Sequence, residues 1–412
     1  MVTLPERLHQ VLLHGDPVGV LHQWGDYTRF VLDHDYWARP ERPVLGLQFE
    51  DDPWQERASS MRLPVWFSNL LPEGLLREWV ARDRGVSAQR EMELLARLGS
   101  DLPGAVTVVP DTGIRPLQPP PVVETHVSTP PEGASGQWRS SLAGVGLKFS
   151  MLREGDRLTM PAGGSAGDWI VKMPDAVHEG VPLNEFSMMR WAAECGINVP
   201  EVRLVRRREL PELPERAWPL GEEVAYAIER FDRSPGGGVV HIEDLAQVRG
   251  FLPEDEYRGD LATVAALLYR GRDVESLREF ARRVTFNSLI GNGDAHLKNW
   301  SLYYPDRVTP ALAPVYDVVS TAPYLEPAHV EDSGLKFLGS RRFDEVQPQT
   351  FQRLQRRLGA TGAALDDVSE ATAAAVLAGS TAALEQLKPL QLVHDWLSAS
   401  LGENLRRFGV SS

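Results

Sequence analysis

The sequence predicts an α+β fold in which a sheet-rich first half precedes a mostly helical second half. Short β-like runs occupy residues 146–152, 169–173, 202–205 and 224–231. From Glu243 onward, apolar residues recur almost wholly at helical spacing, apart from a strand-rich interruption between residues 300 and 320. The 412 residues allow two or three domains that each bury a core.

The charge and cysteine content exclude several classes of protein. The net charge of −14 makes the chain a poor nucleic-acid binder by itself, because phosphate binding depends on Lys and Arg. The single cysteine, Cys195, cannot form an intramolecular disulfide. Residues 1–7 lack the order of a signal peptide, and no apolar run has the length of a membrane span. We therefore expect a cytoplasmic protein with no membrane partner.

Residues 1–110 are predicted to form one unit. A hairpin is expected over residues 19–32 around Gly25-Asp26, and residues 45–49 alternate like a further strand. Helices are expected after Gly74 and before Gly99. Residues 111–137 are rich in Pro, Thr, Ser and Gly, which is typical of a linker or a long surface loop.

The segment from Ile290 to Asn299 carries the strongest chemical signal. It follows a helix with an apolar face, so its glycines, Asp294, His296 and Asn299 belong to a loop at the helix end. Such clusters also fill ordinary turns. The spacing Asp-x-His-x-x-Asn is nevertheless that of a phosphotransferase loop, in which the Asp orients the acceptor hydroxyl and the Asn supplies an oxygen to Mg²⁺. His296 is expected to brace the loop.

A second carboxylate is predicted to return to this loop. Residues 300–304 and 312–315 are typical of a hairpin that brings Tyr316 and Asp317 back beside Asn299. Mg²⁺ in phosphoryl transfer prefers hard oxygen ligands. Asn299 and Asp317 would supply that pair.

Three further elements occur in the order that a kinase requires. A glycine-containing loop spans residues 141–148, Lys172 ends a strand, and Glu185 follows Asn184, the expected N-cap of a helix that ends at Gly196. Residues 229–233 follow an apolar strand where a two-lobed kinase has its hinge. There, backbone groups of Glu229 and Phe231 could meet the adenine edge.

Together these residues resemble the HipA-like serine/threonine kinases, toxin components of bacterial type II toxin-antitoxin modules. The resemblance also includes residues 67–74 and 101–106 near the N-terminus. It implies a two-lobed protein-kinase-like fold with an added HipA-type N-terminal subdomain. We therefore expect a mixed α/β N-lobe over residues 138–233 and a mostly helical C-lobe over residues 234–412.

The resemblance implies ATP and Mg²⁺ as cofactors and assigns roles to individual residues. Asp294, Lys172 and His296 would be catalytic, Asn299 and Asp317 would hold the metal, and Ser141 would be autophosphorylated as an off-switch. The expected nucleotide contacts are Ala143, Gly144, Val145, Gly146, Leu147, Lys148, Lys172, Glu229, Arg230, Phe231, His296, Leu297, Lys298, Asn299, Tyr316 and Asp317. Gly146 stands where relatives commonly have Gln, so loop contacts to the nucleotide are expected to be looser.

The family also suggests partners. The expected substrate is a Ser or Thr of a protein, for which an aminoacyl-tRNA synthetase is one candidate. A small helix-turn-helix antitoxin of the HipB type would supply any DNA contact. Three alternatives stay open: a small-molecule phosphotransferase, a catalytically silent kinase-like binding module, and a metal-dependent hydrolase built from Asp294, His296 and Asp317.

Overall fold

The computed structural model describes residues 6–99, 102–111, 147–154, 157–159, 167–234, 237–325 and 332–411. The fold is α+β, as predicted. The N-terminal unit contains the strands β1 Glu6–Leu13, β2 Asp16–Trp24, β3 Tyr27–Leu32, β4 Arg57–Ser60 and β5 Val106–Pro110. They form one antiparallel sheet in the order β4-β3-β2-β1-β5, which confirms the hairpin predicted over residues 19–32. Alternate residues of β3 are buried, so one face of the sheet covers a core.

The helices of this unit are α1 His34–Trp37, α2 Leu47–Asp51, α3 Val65–Ser68, α4 Gly74–Asp83 and α5 Glu91–Leu98. The prediction of a strand over residues 45–49 is wrong, because α2 occupies most of this segment. Leu45 and Phe49 are buried in the core of the N-terminal unit, whereas Leu47 packs against the second core of the chain. The alternation thus reflects a segment between two cores and not a strand with one buried face.

A second sheet lies beside the first unit. Its strands are β6 Lys148–Glu154, β7 Arg157–Thr159, β8 Trp169–Lys172, β9 Val202–Arg206 and β10 Val224–Glu229, in the order β7-β6-β8-β10-β9. The helix α6 Val181–Glu194 packs against β9 and β10. These elements match the predicted run of short strands with one helix among them.

The beginning of α6 differs from the prediction. The helix starts after Gly180, four residues earlier than a cap at Asn184 requires. Asn184 is buried, and its side-chain amide donates to the Ser320 carbonyl over 2.9 Å and accepts from the Ser320 N–H over 3.1 Å. The polar side chain therefore serves a tertiary contact. The predicted end is confirmed, since Gly196 follows the helix with a φ of +77°.

The second half is mostly helical. Its helices are α7 Leu245–Arg249, α8 Leu261–Tyr269, α9 Val274–Ile290, α10 Pro348–Leu358, α11 Leu365–Leu387 and α12 Gln391–Arg406. The central helix is α9, which packs against α8, α11 and α12. Nearly the whole second half of α9 is buried, so the loop that follows it starts from a rigid support.

The second half contains more strands than the sequence predicted. The expected hairpin is present as β14 Ser301–Tyr304 and β15 Ala311–Leu312, and it is joined by β13 His241–Asp244. Two more hairpins are formed by β11 Arg233–Ser234 with β12 Gly238–Val239, and by β16 Asp332–Phe337 with β17 Ser340–Arg342. β11, β12 and β17 are only two or three residues long, and the buried residues of β16 do not alternate, so none of the four shows the pattern of a half-buried strand. No helix of the described ranges is long and apolar enough to cross a membrane.

A buried carboxylate joins the N-terminal unit to the helical half. Glu243 in β13 accepts hydrogen bonds from the backbone N–H of Leu47 (2.9 Å), from Trp66 Nε1 (3.3 Å) and from the Tyr304 hydroxyl. Burial raises the pKa of Glu243 to about 7. In its ionised form, Glu243 therefore holds the N-terminal unit and the helical half together through three hydrogen bonds.

We expect Tyr304→Phe to lower the free energy of unfolding by about 1–3 kcal/mol, because the buried Glu243 loses a donor without replacement. Chemical unfolding followed by fluorescence would measure this loss. Tyr303→Phe is the matched control, since it makes the same change in the same strand at a half-buried position. An equal effect of both substitutions would contradict the role of the hydrogen bond.

Candidate functional site

Lys172 lies at the end of β8 and contacts two carboxylates from distant parts of the chain. Its Nζ is 2.6 Å from Glu185 Oε1 in α6 and 2.9 Å from Asp317 Oδ1 after β15. Burial opposes the positive charge, but the two carboxylates together raise the pKa of Lys172 above its usual value. Three residues that the sequence analysis singled out separately thus meet at one point.

Asp317 has an unusual backbone conformation. Its φ is +60°, in the left-handed region, which costs a residue other than glycine about 1–3 kcal/mol. Burial opposes ionisation, but Lys172, Lys148 and His296 lower the pKa of Asp317 below its usual range. Asp317 is therefore a carboxylate anion that remains about one third exposed, at 32%.

A second lysine lies opposite Lys172. Lys148 of β6 is paired with Lys172 in the antiparallel register of β6 and β8, so both side chains leave the sheet on the same face. Like charges that face each other across strands are destabilising. An anion between them would remove this repulsion, which makes the pair a suitable site for phosphate oxygens.

The loop after α9 is closed by hydrogen bonds among its own residues. Gly291 ends the helix with a φ of +68°, and a Cβ there would lie 2.5 Å from the Trp396 ring, so only glycine fits. The Asp294 N–H donates to Asn292 Oδ1 over 3.0 Å, and Asn299 Nδ2 donates to the Asp294 carbonyl over 2.7 Å. These bonds hold Asp294 and Asn299 in one compact turn.

His296 has a supporting position in this loop. Its ring is buried, packs edge-on against Tyr257 with 5.0 Å between ring centroids, and has Nε2 4.0 Å from Asp294 Oδ1. Burial lowers the pKa of His296 to about 4, so the imidazole is neutral near pH 7. A neutral imidazole at this position is compatible with the predicted bracing role, and the catalytic role stays a prediction.

The structure adds two residues to the site that the sequence analysis missed. The Tyr257 hydroxyl donates to Asp294 Oδ1, and Glu73 of the N-terminal unit pairs with Lys298 of the loop. Glu73 was quoted for the family resemblance without a role. Tyr257 lies in an irregular segment between α7 and α8, where no periodicity or local motif indicates a contact 37 residues away.

The predicted adenine site combines backbone groups with a structural ion pair. The buried Arg230 guanidinium binds Asp232 through two bonds of 2.9 and 2.8 Å, and its backbone N–H donates to the Asp168 carbonyl. Arg230 was expected to contact the nucleotide, but its side chain is bound to Asp232. Phe231 stacks on Tyr316 at 5.8 Å, and the Tyr316 hydroxyl donates to the Lys298 carbonyl over 2.6 Å. Tyr316 thus links the strand end to the loop.

The remaining expected contacts divide into two groups. The Leu297 side chain is buried in the second core of the chain, so only its backbone is available to a nucleotide. Leu147 and Lys148 are described at the start of β6. The phosphorylation site and most of the glycine-containing loop lie outside the described residues, namely Ser141, Ala143, Gly144, Val145 and Gly146.

The donor set around Asp317 fits a hard divalent cation. Asp317 contributes an ionised carboxylate. Asn299 uses its amide nitrogen in the hydrogen bond to Asp294, so its amide oxygen is the atom that would bind the metal. In the described ranges, no group of three or more His, Cys, Asp or Glu side chains has the arrangement of a metal site. The candidate pair is completed by phosphate oxygens in phosphoryl transfer.

The fold is protein-kinase-like. Its features are the second five-stranded sheet, the helical second half and the Lys172–Glu185 pair. Residues 9–109 match the HipA N-terminal domain and residues 140–382 match the HipA-like C-terminal domain. The chain therefore belongs to the HipA-like kinase family, as the sequence resemblance predicted.

Individual relatives agree with this assignment. Y4dM of Sinorhizobium fredii, which is named as a kinase, is 45% identical over 77% of this chain and 78% of its own. The serine/threonine-protein kinase toxin HipA of Shewanella oneidensis is 30% identical over 66% of each chain. A structure of the Shewanella oneidensis HipA, HipB and operator DNA complex has the same fold, with a TM-score of 0.74, 22% identity and 97% coverage of both chains.

We expect Asp232→Ala to lower the free energy of unfolding by about 3–5 kcal/mol, because it leaves the buried guanidinium groups of Arg230 and Arg233 without their carboxylate. The control is Asp255→Ala, which removes the partner of the exposed Arg258 and should cost only about 0–1 kcal/mol. Unfolding in urea compares the two. A loss at Asp232 as small as that at Asp255 would contradict the buried ion pair.

Proposed function

We propose that the protein transfers the γ-phosphate of Mg·ATP to a Ser or Thr of a protein, as a kinase toxin. The observation that carries the proposal is Lys172 between Glu185 and Asp317, with Lys148 on the same face of the sheet. A kinase needs a strand lysine held by a helix carboxylate, beside a carboxylate for the metal. All three are present in this chain.

The nucleotide would lie between the second sheet and the loop after α9. Lys172 and Lys148 would contact its phosphates, and the Glu229 carbonyl and the Phe231 N–H would contact adenine. Asn299 and Asp317 would hold Mg²⁺, which neutralises charge on the phosphate oxygens when bound. Lys298 lies next to Asn299 and is charged, since nearby carboxylates, including Asp244 and Glu73, raise its pKa although burial opposes this.

Asp294 would accept or orient the proton of the acceptor hydroxyl. Its carboxylate is a hydrogen-bond acceptor for Tyr257, whose ring packs on the neutral His296. Tyr257 would therefore fix the direction of the Asp294 oxygens.

Regulation and partners follow from the family. Phosphorylation of Ser141 would add nearly two negative charges to the glycine-containing loop, which is expected to contact the nucleotide phosphates, and would so switch the enzyme off. A small DNA-binding antitoxin is the expected partner, since the Shewanella oneidensis relative is titled as a complex of HipA with HipB and operator DNA. The net charge of −14 supports DNA contact through such a partner alone. We also propose a cytoplasmic location, as the sequence analysis expected.

Intact-mass spectrometry of the protein incubated with Mg·ATP tests the proposal. We expect the wild type to gain a phosphate that maps to Ser141. Asp294→Ala should keep its fold and its ATP binding but lose transfer by about a hundredfold or more, because the acceptor hydroxyl loses its base.

Asp317→Ala separates binding from chemistry, since it should already fail to bind Mg·ATP. Transfer by Asp294→Ala at the wild-type rate would refute the catalytic assignment. ATP binding without phosphate gain by the wild type, on itself or on protein substrates, would favour a silent binding module.

We expect Tyr257→Phe to lower the rate of phosphate transfer about tenfold while leaving ATP binding unchanged. The substitution removes the hydrogen bond that orients Asp294, worth about 1.5 kcal/mol, and about 1.4 kcal/mol corresponds to a factor of ten in rate. The ring and its contact with His296 are kept. Tyr269→Phe, outside the site, should leave the rate unchanged, and an unchanged rate in Tyr257→Phe would argue against the orienting role of the hydrogen bond.

A further inference from the structure

A cavity of about 600 Å³ opens on the surface away from the phosphate site. It lies between the segment that leads into α6, the short helical turn Ala322–Tyr324 and the junction of α11 and α12. Its lining mixes polar side chains with apolar ones, and the apolar ones are Val177, Pro323, Leu325, Pro389, Leu390 and Leu392. We refer to it as the α6–α12 cavity.

Two of its lining residues are unusually exposed. Val177 is 78% exposed and Leu392 is 52% exposed, which places both among the eight most exposed large apolar side chains of the described residues. Grouped exposed apolar side chains in a concave site mark a binding surface, whereas single ones on a convex surface do not. The α6–α12 cavity thus has the volume and lining of a site for apolar side chains.

Carboxylates gather around this apolar lining. Asp175 accepts from the N–H groups of Val177 and His178 over 2.8 Å each, and Glu222 accepts from the Gly180 N–H over 3.0 Å. Burial raises the pKa of Tyr324 to about 12, although its hydrogen bond with Asn184 acts in the opposite direction. The negative charges of Glu222, Asp175 and Glu179 add to this increase. The neighbouring Lys388 is 2.5 Å from Glu385, which balances its charge.

Hydrogen bonds connect the cavity to the helix that carries Glu185. The Tyr324 hydroxyl donates to the Glu179 carbonyl over 3.1 Å, and Asn184 Nδ2 lies 3.4 Å from the same hydroxyl. Asn184 also binds Ser320 and directly precedes Glu185, the partner of Lys172. An occupant that contacts Tyr324 would therefore act on the helix that positions Lys172.

We propose that the α6–α12 cavity is a docking site for a segment of a partner protein that presents apolar side chains flanked by Lys or Arg. The apolar lining would bury the central side chains, and the carboxylates would attract the basic flanks. This site is separate from the proposed phosphotransfer site, and its occupancy can be measured without any phosphate transfer.

The test is selection from a random-peptide display library on the full chain, followed by affinity measurements on synthetic copies of the enriched peptides. We expect the wild type to enrich apolar peptides with basic flanks. Val177→Asp should bind them at least about tenfold more weakly, because an anion replaces an apolar contact. Val308→Asp is the matched control, since Val308 is 47% exposed and lies outside the cavity.

Glu179→Lys tests the charge preference and should weaken the basic-flanked peptides, whereas Glu212→Lys, an exposed glutamate elsewhere, should not. The proposal is overturned if Val177→Asp enriches or binds the same peptides as the wild type. It is also overturned if the enriched peptides show no excess of Lys and Arg. Either failure would leave the phosphate-transfer measurements unaffected.

Discussion

The ammonium group of Lys172 is the interaction on which the arrangement of the site depends. It lies between Glu185 and Asp317, two carboxylates that would repel each other if both were ionised without it. The three residues come from a sheet, a helix and an extended segment that have no local reason to meet. One partly buried cation therefore links α6 and Asp317 to the sheet. Lys148 lies on the same face of the sheet, and the two lysines together are suited to bind an anionic ligand.

The N-terminal unit is joined to the rest of the chain through charged groups and not only through apolar contact. Glu243 binds donors of both units, and Asp232 accepts from the Gly104 N–H over 2.8 Å beside the end of β10. Glu73 reaches Lys298 in the loop after α9. Buried charges tolerate little displacement, because each needs its partners to offset desolvation. The unit is therefore placed to affect the geometry of the loop that carries Asp294.

Much of the fold was predictable because it rests on local patterns. The alternation in β3 and the helical spacing before Gly291 each depend on residues close in sequence, and both predictions are confirmed. The failures have physical causes. Leu47 lies between two cores, so its segment alternates like a strand but forms a helix. Asn184 has the chemistry of a cap but binds Ser320, and the strand Asp332–Phe337 was missed because its buried residues do not alternate.

By itself, the sequence determined the family, the α+β class and the chemical types at the site, because residue identity and spacing carry that information. Lys172 and Asp317 could be named as members of one site without any coordinates. Tertiary structure alone decided that Tyr257 reaches Asp294 and that the Arg230 side chain is bound to Asp232. Such contacts depend on how whole elements pack. Side-chain partners at large sequence separation leave no periodicity or motif in the chain, so only the folded geometry reveals them.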